Sequence, residues 1–542
     1  MKTNILKTLA FIPAMALSLV GCNESDFLDL KNPNNVVDAT YWTNEAQVQS
    51  AMATVYSPIR GQMYGYFGAY TGFQTMNRAD DTWFILGEEV FNWEYATFSN
   101  TANTAESDLG RIYNCIQRAN VLLSKITDVP MDDNKKNELI GEAKFLRGYS
   151  YFLLVTNFGD VPLRLVPTNE SSDEIMKPSS PESEIWQQVE SDFSDAKAYL
   201  PIDRPDSEAG RVTKGTAIAY LGKTYVYQKK YAEGEAELKT IMSSPYTYDL
   251  VENFEDNFTE YTELNKESIF ELVYDGKYGS GSWGAEGPND TQGMVLPNFV
   301  GSQGTGGWFK FMPSASIVED FVAEERPEGS DTKFDKRMYT SFYWKHSDFG
   351  DKVEDGAWYG NMPFDTLWVA ASTKRLRGEP DYPVIEGVKG RFLTKKFTNF
   401  YKNEPDANSM YNQANQNNNL RVMRFAEVLL LHAEACIKTG KLAEAAADLT
   451  RIRDRAGLAK KTWNGEDELW NEMIHQNELE FFFEGHRFFD LKRWYSYDEM
   501  KQIFIKNKKQ GADNFQPKHF YLPLPQNEMN TNTAVEQHPL WR

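Results

Sequence analysis

The feature that most constrains the fold is a pair of helical repeats far apart in the chain. Residues 214–242 and 426–453 each place small and large apolar residues at the spacing of the two antiparallel helices of a tetratricopeptide unit. The matching positions are Ile218, Leu221, Gly222, Tyr225, Tyr231 and Leu238 in the first repeat, and Leu429, Ala433, Cys436, Leu442, Ala445, Leu449 and Ile452 in the second. A half-match lies at 185–201. Because one unit cannot bury its own apolar face, these repeats predict a helical solenoid interrupted by insertions.

The predicted architecture is mainly α, a tetratricopeptide-like helical scaffold that carries a large loop-rich α+β insertion. A chain of 542 residues exceeds what one hydrophobic core usually organises, which agrees with a composite fold. We assign the scaffold to about 40–60, 106–244 and 420–542. Within it, a helical period runs through 135–158, and Gly159 and Pro162 bring it to a close. The loop-rich parts are 61–104 and 245–420, where glycines alternate with Trp and Tyr and no helical period holds.

A second feature is the aromatic stretch EFFFEGHRFFDLKRW at 480–494. Four charged residues of alternating sign recur in it at every third position, a spacing at which side chains on one helix meet. They are Glu484, Arg487, Asp490 and Arg493. The surrounding rings predict a buried helix whose charges pair with one another. A catalytic carboxylate cluster is the alternative, but structural ion pairs crowd carboxylates in the same way, so we expect a buried brace.

The N-terminus has the parts of a bacterial lipoprotein leader. Lys2 and Lys7 give a positive start, an apolar run follows at 9–20, and Leu-Val-Gly precedes Cys22. We therefore expect residues 1–21 to be a signal peptide, Cys22 to carry the lipid, and 22–542 to form the mature domain. No later stretch approaches the about 18 apolar residues that a membrane helix needs, so lipid is the expected anchor.

Composition and motifs exclude several classes of function. The net charge of −21 argues against nucleic-acid binding. The glycines at 279–284 match GxGxxG but lack the strand and helix that a dinucleotide site needs, and 301–307 lacks the Lys-Ser/Thr pair of a phosphate loop. The six histidines show no metal-ligand spacing, so we expect neither a metal site built on them nor a cofactor, and the sequence leaves open whether a calcium ion orders the loops. Cys115 and Cys436 are expected to be buried, unreactive thiols, and the sequence leaves their pairing open.

Aromatic residues in the loop-rich parts suggest a binding surface for sugars. A flat ring can lie against the apolar C–H face of a sugar while carboxylate, amide or guanidinium groups bind its hydroxyls. For any one of these rings, plugging a loop onto the scaffold is about as good an explanation. The candidate residues are Trp83, Trp93, Trp283 and Trp308 with the neighbouring Arg78, Asp80 and Asp81.

Five segments together resemble the SusD/RagB family of surface lipoproteins. In chain order they are FLDL (27–30), EAKFLRGYSYFLLVTNFGDVPL (142–163), RFAEVLLLHAEA (424–435), FEGHRFFDLKRW (483–494) and LPLPQNEMNTN (522–532). The resemblance covers nearly the whole chain. One departure is Gln476-Asn477-Glu478, where members usually carry Glu-Arg-Arg.

The resemblance implies a non-catalytic protein at the outer surface of the outer membrane. Such proteins bind a glycan and deliver it to a partner TonB-dependent transporter of the SusC type. Two alternatives stay open at this point. Paired carboxylates of a helical glycoside hydrolase or lyase are possible among 78 acidic residues. The repeats also suit a peptide-binding or assembly module of the same transporter system.

Overall fold

The computed structural model describes residues 41–60, 73–85, 90–104, 106–275, 294, 296–302, 307–356, 362–398, 400 and 417–542. Its α-helices are α1 (Glu45–Arg60), α2 (Phe73–Arg78), α3 (Val90–Ala96), α4 (Glu106–Lys125), α5 (Asp133–Phe158), α6 (Glu182–Tyr199), α7 (Lys214–Tyr227), α8 (Tyr231–Ile241), α9 (Leu296–Val300), α10 (Ala315–Ala323), α11 (Lys336–Ser341), α12 (Phe364–Ala370), α13 (Ser372–Arg375), α14 (Phe425–Lys438), α15 (Leu442–Ala456), α16 (Glu466–Glu480), α17 (Arg487–Trp494), α18 (Tyr497–Lys506) and α19 (Gln526–Thr531). The strands are β1 (Thr82–Phe84), β2 (Ser268–Leu272), β3 (Phe311–Pro313), β4 (Phe342–Tyr343), β5 (Val384–Ile385), β6 (Val388–Lys389), β7 (Leu393–Thr394) and β8 (Leu420–Arg424). The mainly α fold predicted from the sequence is confirmed.

Three antiparallel helix pairs form the repeat scaffold: α5 with α6, α7 with α8, and α14 with α15. The second and third pairs are the two units predicted from the spacing of apolar residues. The half-match at 185–201 corresponds to α6, the second helix of the repeat unit in which α5 is the first. Close packing explains the small residues, since a β-carbon at Gly222 would lie 2.6 Å from Cγ of Leu238. In the α5–α6 pair, Arg147 donates to both carboxylate oxygens of Asp192, at 2.7 and 2.8 Å.

Local capping chemistry sets the ends of these helices. Asp132 accepts a hydrogen bond of 3.0 Å from the backbone N–H of Lys135 and so begins α5. Gly159 ends the same helix with φ of 73°, a conformation that favours glycine. At the start of α7, Thr213 and Thr216 form a reciprocal capping box. The boundaries of α5 therefore follow the predicted helix at 135–158 closely.

The strands are short and pair across long sequence separations. β2 runs antiparallel to β8, with Ser268 opposite Arg424, and fastens the start of the insertion to the helix α14. β1 runs antiparallel to β3, and β4 to β7. The hairpin β5–β6 is local. The region 61–104, predicted to be irregular, contains α2, β1 and α3 in its described residues.

Cys115 and Cys436 are free and buried. Burial raises the pKa of each thiol to about 12. Both thiols are therefore protonated at neutral pH. None of the helices in the described part of the chain is both long and apolar enough to cross a membrane.

The charged ladder predicted at 480–494 is only partly correct. α16 ends at Glu480 and α17 begins at Arg487, so a turn in which Phe483 has φ of 61° separates two helices. Asp490 and Arg493 do pair along one helix, at 2.8 Å. Glu484 and Arg487 lie on different elements, and each finds a partner elsewhere in the chain.

These distant partners make the stretch a buried brace, as expected. Glu484 accepts hydrogen bonds of 2.8 Å from Arg424 on β8 and 2.6 Å from Lys396. Arg424 also contacts Glu267 at 2.8 Å, which ties the turn to the β2–β8 pair. Arg424 and Glu484 are buried. Desolvation disfavours the ionised carboxylate, but Arg424 and Lys396 outweigh it and lower the pKa of Glu484.

Candidate functional site

The β1–β3 pair brings two of the predicted tryptophans onto neighbouring segments. Trp83 on β1 is opposite Met312 on β3, and the backbone N–H of Ile85 donates to the carbonyl of Lys310 at 2.8 Å. Trp308 lies in the segment that leads directly into β3. α3, which carries Trp93, packs on β1. Three of the candidate rings therefore belong to one group of adjoining segments.

Trp308 is held by contacts on one side of its ring and along its backbone. Its ring meets that of Phe299 edge to face, with centroids 4.5 Å apart and an angle of 79° between planes. Its backbone N–H donates to the carbonyl of Asn298 at 2.5 Å, and its own carbonyl accepts from Nζ of Lys374 at 2.6 Å. These contacts fix the ring at the edge of the core while leaving it only half-buried.

A fourth tryptophan, Trp368 on α12, joins this group and was missed in the sequence. The guanidinium of Arg375 lies 3.6 Å from the centroid of its ring, a cation–π contact. Lys374, which holds Trp308, precedes Arg375 in α13, so the two tryptophans are linked through one short helix. The sequence did contain a signal for exposed apolar residues here, because the consecutive apolar residues in FDTLWVA cannot all face the core. In the structure, Val369 next to Trp368 is 67% exposed.

We name Trp83, Trp93, Trp308 and Trp368 the aromatic surface. Each of these side chains is half-buried and packs against the hydrophobic core with part of its ring. Leu376, immediately after α13, is 88% exposed and extends the apolar character. Half-buried rings offer flat apolar faces of the kind against which a sugar packs. Lys374 and Arg375 lie beside them and donate within the protein, to the carbonyl of Trp308 and to Glu379.

The polar residues predicted to flank the rings lie inside the protein. Arg78 places its guanidinium 4.2 Å from the ring centroid of Phe488 and donates to Oδ1 of Asn157 at 2.6 Å. Arg78, Asp80 and Asp81 are all buried. Their burial argues against the predicted contact with sugar, because a surface ligand cannot reach them in this arrangement.

The two aspartates of this group fasten the loop-rich part to the C-terminal helices. Asp80 accepts from Nε of Arg487 at 2.9 Å, and Asp81 accepts from the backbone N–H of Phe483 at 3.2 Å. Burial opposes ionisation of Asp80, but Arg487 lowers its pKa below the ordinary value. Burial and the neighbouring charge of Asp80 raise the pKa of Asp81 to about 6.

Trp283 and Cys22 lie outside the described residues. The predicted sugar contacts of Trp83, Trp93 and Trp308, and the lipid on Cys22, stay predictions.

A cavity of about 340 Å³ lies away from the aromatic surface, between α1, the segment 209–211 and β2. Its polar lining includes Tyr56 and Arg211, and both are committed to Glu142, at 2.9 and 2.8 Å. The remaining walls are largely apolar, with Met52 and Leu272 among them. None of the described residues that line this cavity is a tryptophan, so the aromatic surface is the better candidate for packing against a sugar.

Side chains of the metal-ligand type converge within the scaffold as well. Glu235, His432, Cys436 and Glu444 bring one ligand atom each to within 4.8 Å of one another. The sequence prediction of no metal site considered histidine spacing alone, and this cluster draws its members from two repeats.

Comparison with known proteins places the chain in a family. A model described as SusD family matches residues 266–541, and a second, described as starch-binding associating with outer membrane, matches residues 26–226. The chain belongs to the SusD family. This confirms the resemblance drawn from the five segments.

Relatives match over nearly their full length at low identity. SusD-like protein P2 of Formosa agariphila is 24% identical over 96% of this chain and 97% of that protein. A SusD-like protein of Bacteroides ovatus is 23% identical over 92% of this chain and 84% of that protein.

Solved structures share the fold. A SusD superfamily protein from Bacteroides vulgatus has a TM-score of 0.76 at 27% identity and covers 93% of this chain and 100% of that one. A laminarin-binding SusD-like protein has a TM-score of 0.70 at 24% identity, covering 92% and 100%. Surface glycan-binding protein A from Bacteroides thetaiotaomicron in complex with laminarihexaose has a TM-score of 0.70 at 19% identity, covering 91% and 99%.

Proposed function

We propose that this protein binds oligo- or polysaccharide at the cell surface and delivers it to a partner SusC-like TonB-dependent transporter in the outer membrane. The observation that carries the proposal is the aromatic surface in a chain of the SusD family. Its half-buried rings suit the C–H faces of sugars. Two proteins of the same fold bind glycans, one of them laminarin and the other laminarihexaose.

Anchoring to the outer membrane is part of the same proposal. The leader sequence before Cys22 supports a lipid on that residue, and the second family description names association with the outer membrane. A lipid on the N-terminus would leave the whole folded chain outside the bilayer, where a glycan is captured.

We propose binding without catalysis. Asp80 and Asp81, the carboxylates predicted nearest to the rings, are committed to Arg487 and to the backbone of Phe483. A glycosidase needs a pair of carboxyl groups that flank the scissile bond and are open to substrate, which this buried pair does not provide.

Calorimetry with laminarin, laminarihexaose, starch and unrelated polysaccharides tests glycan binding. We expect Trp308→Ala and Trp368→Ala each to weaken binding of the preferred glycan by about 1 kcal/mol or more, roughly fivefold in Kd. Trp470→Ala is the matched control. Trp470 is also half-buried under a cation, Lys438 at 3.9 Å, but it lies on the scaffold helix α16 and should leave affinity unchanged.

Each part of the proposal has its own contrary outcome. Absence of binding to every glycan would refute glycan capture, whereas equal affinity of both aromatic-surface variants and the control would place the site elsewhere. Release of reducing ends from a bound glycan would refute a non-catalytic role. Failure to co-purify with a transporter from detergent-solubilised outer membranes would refute delivery to such a partner.

A further inference from the structure

Four potential metal ligands converge where two repeats of the scaffold meet. His432 and Cys436 are one turn apart on α14 and so share a helix face. Glu235 comes from α8 of the preceding repeat, and Glu444 from the first turn of α15. The ligand atoms of these side chains all lie within 4.8 Å of one another. Donors from three packed helices are therefore already gathered at one point.

The histidine is oriented as a metal ligand would be. Nδ1 of His432 lies 2.6 Å from Oδ2 of Asp448, so this nitrogen carries the proton and donates it to the carboxylate. The other nitrogen, Nε2, is then unprotonated and lies 4.0 Å from Oε1 of Glu235. Sγ of Cys436 lies beside the ring, 3.6 Å from Nε2 and 3.8 Å from Nδ1, so the thiol must turn to share an ion with Nε2. A carboxylate behind a ligating histidine is the usual outer support of a zinc site.

We propose that Glu235, His432, Cys436 and Glu444 bind one Zn²⁺ ion in tetrahedral geometry. Thiolate and imidazole are preferred zinc ligands, and carboxylate oxygens complete such sets. Calcium and magnesium prefer oxygen ligands throughout, and a sulfur donor disfavours them. Binding releases the thiol proton of Cys436 to solvent, because the thiolate is the ligand form.

Two lysines neutralise the same carboxylates when no ion is bound. Lys239 donates to Oε2 of Glu444 at 2.6 Å, and Lys441 contacts Glu235. Their side chains are 54% and 43% exposed, so both ammonium groups can turn into solvent when a divalent cation takes their place. Glu444 is also partly exposed, which gives the ion a route into an otherwise buried cluster.

The ion would join two repeats that are distant in sequence. α8 belongs to the repeat at 214–242, while α14 and α15 form the repeat at 426–453. An ion that binds all three helices binds the folded chain alone, so zinc stabilises the native state by mass action.

Titration of the metal-free, full-length protein with Zn²⁺ tests the proposal. We expect one ion per chain, a rise in Tm on zinc addition and, with Co²⁺ in place of Zn²⁺, the near-ultraviolet charge-transfer absorption of a cobalt–thiolate bond. Cys436→Ser and His432→Gln should abolish stoichiometric binding and the absorption band. Cys115→Ser, which alters the other buried thiol, should retain both.

Substitutions at three residues that are not ligands keep the test decisive if a ligand variant fails to fold. Asp448→Asn should lower zinc affinity about 10–100-fold, since it leaves the ligands in place but removes the support of His432. Lys239→Gln and Lys441→Gln should raise affinity, because each removes a competing cation. A protein that takes up no zinc, or whose zinc affinity is the same in all these variants, would overturn the proposal. Glycan affinity is measured separately and bears only on the aromatic surface.

Discussion

At the scale of single residues, Arg487 connects parts of the chain 407 positions apart. It contacts Asp80 at 2.9 Å and Glu478 at 3.1 Å, and all three side chains are buried. Glu478 therefore gives Arg487 a second buried acidic partner. Desolvation raises the pKa of Glu478 well above its ordinary value, while Arg487 opposes the rise.

We expect Arg487→Ala to lower the free energy of unfolding by about 3–5 kcal/mol, because it leaves the buried carboxylate of Asp80 without its cation. Chemical denaturation measures the change. Lys460→Ala is the control. It breaks an exposed ion pair of 2.6 Å with Asp454 and should cost less than about 1 kcal/mol. Equal losses in the two variants would contradict the buried brace. Glycan affinity of the folded Arg487→Ala fraction should match that of the unaltered protein.

Sequence spacing could find only part of this network. Asp490 and Arg493 are three residues apart on α17, and the spacing predicted their pair correctly. Glu484 was placed in the same ladder, but its partners Arg424 and Lys396 come from other elements. Such contacts depend on how distant elements pack in three dimensions. The spacing of residues within one segment carries no information about that packing. Burial of Asp80 escaped prediction for the same reason.

At the scale of elements, the repeat helices depend on glycines at their closest approach. A β-carbon at Gly222 would lie 2.6 Å from Cγ of Leu238, so α7 or α8 would have to shift. At Gly110, on the exposed side of α4, nothing lies within 4 Å of the same added atom. The two positions separate the packing cost of a methyl group from its benefit to the helix.

We expect Gly222→Ala to destabilise the protein by about 1 kcal/mol and Gly110→Ala to stabilise it by about 0.5–1 kcal/mol. Alanine favours a helix over glycine by about 0.5–1 kcal/mol at either site. Overpacking costs about 1–3 kcal/mol and applies at Gly222 alone. Thermal unfolding of the two variants measures the difference. Stabilisation by Gly222→Ala would show that α7 and α8 separate without cost.

The long helices were predictable because their apolar period and their end signals agree. The apolar period and the stop at Gly159 predicted α5, and the repeat pattern predicted α7, α8, α14 and α15. Most of the short strands were not predictable, since β4 and β7 have only two residues each and carry no alternation. Trp368 was missed because α12 lies in a stretch that was assigned to loops.

At the scale of the whole molecule, buried ion pairs join the repeats to the C-terminal helices. Glu427 on α14 contacts Lys223 on α7 at 2.7 Å and His486, just before α17, at 3.3 Å. Desolvation raises the pKa of Glu427, but Lys223 and His486 outweigh it and hold the pKa at about 2. One carboxylate thereby unites three separate parts of the fold.

Acid should lower the free energy of unfolding by protonating this carboxylate. Glu427 takes up a proton near its ordinary pKa of about 4.5 in the unfolded chain, but only near pH 2 in the folded chain. Its contribution to the free energy of unfolding is therefore fully present above pH 4.5 and is lost as the pH falls toward 2. The difference corresponds to roughly 3 kcal/mol. We expect Glu427→Gln to lower the free energy of unfolding at neutral pH and to flatten its fall in acid.

Denaturation of both proteins from pH 7 to pH 2 checks this expectation. Other acids with shifted pKa values affect the two proteins equally. Glu263, for example, has a pKa raised to about 7 chiefly by burial, so its contribution to stability grows as the pH falls. Such effects cancel in the difference in free energy of unfolding between the unaltered protein and Glu427→Gln. This difference should shrink toward zero as the pH approaches 2. Glu536→Gln, at an exposed ion pair with Arg542, should leave the profile unchanged. A difference that stays constant across this range would mean that Glu427 does not connect the repeats to α17 through its charge.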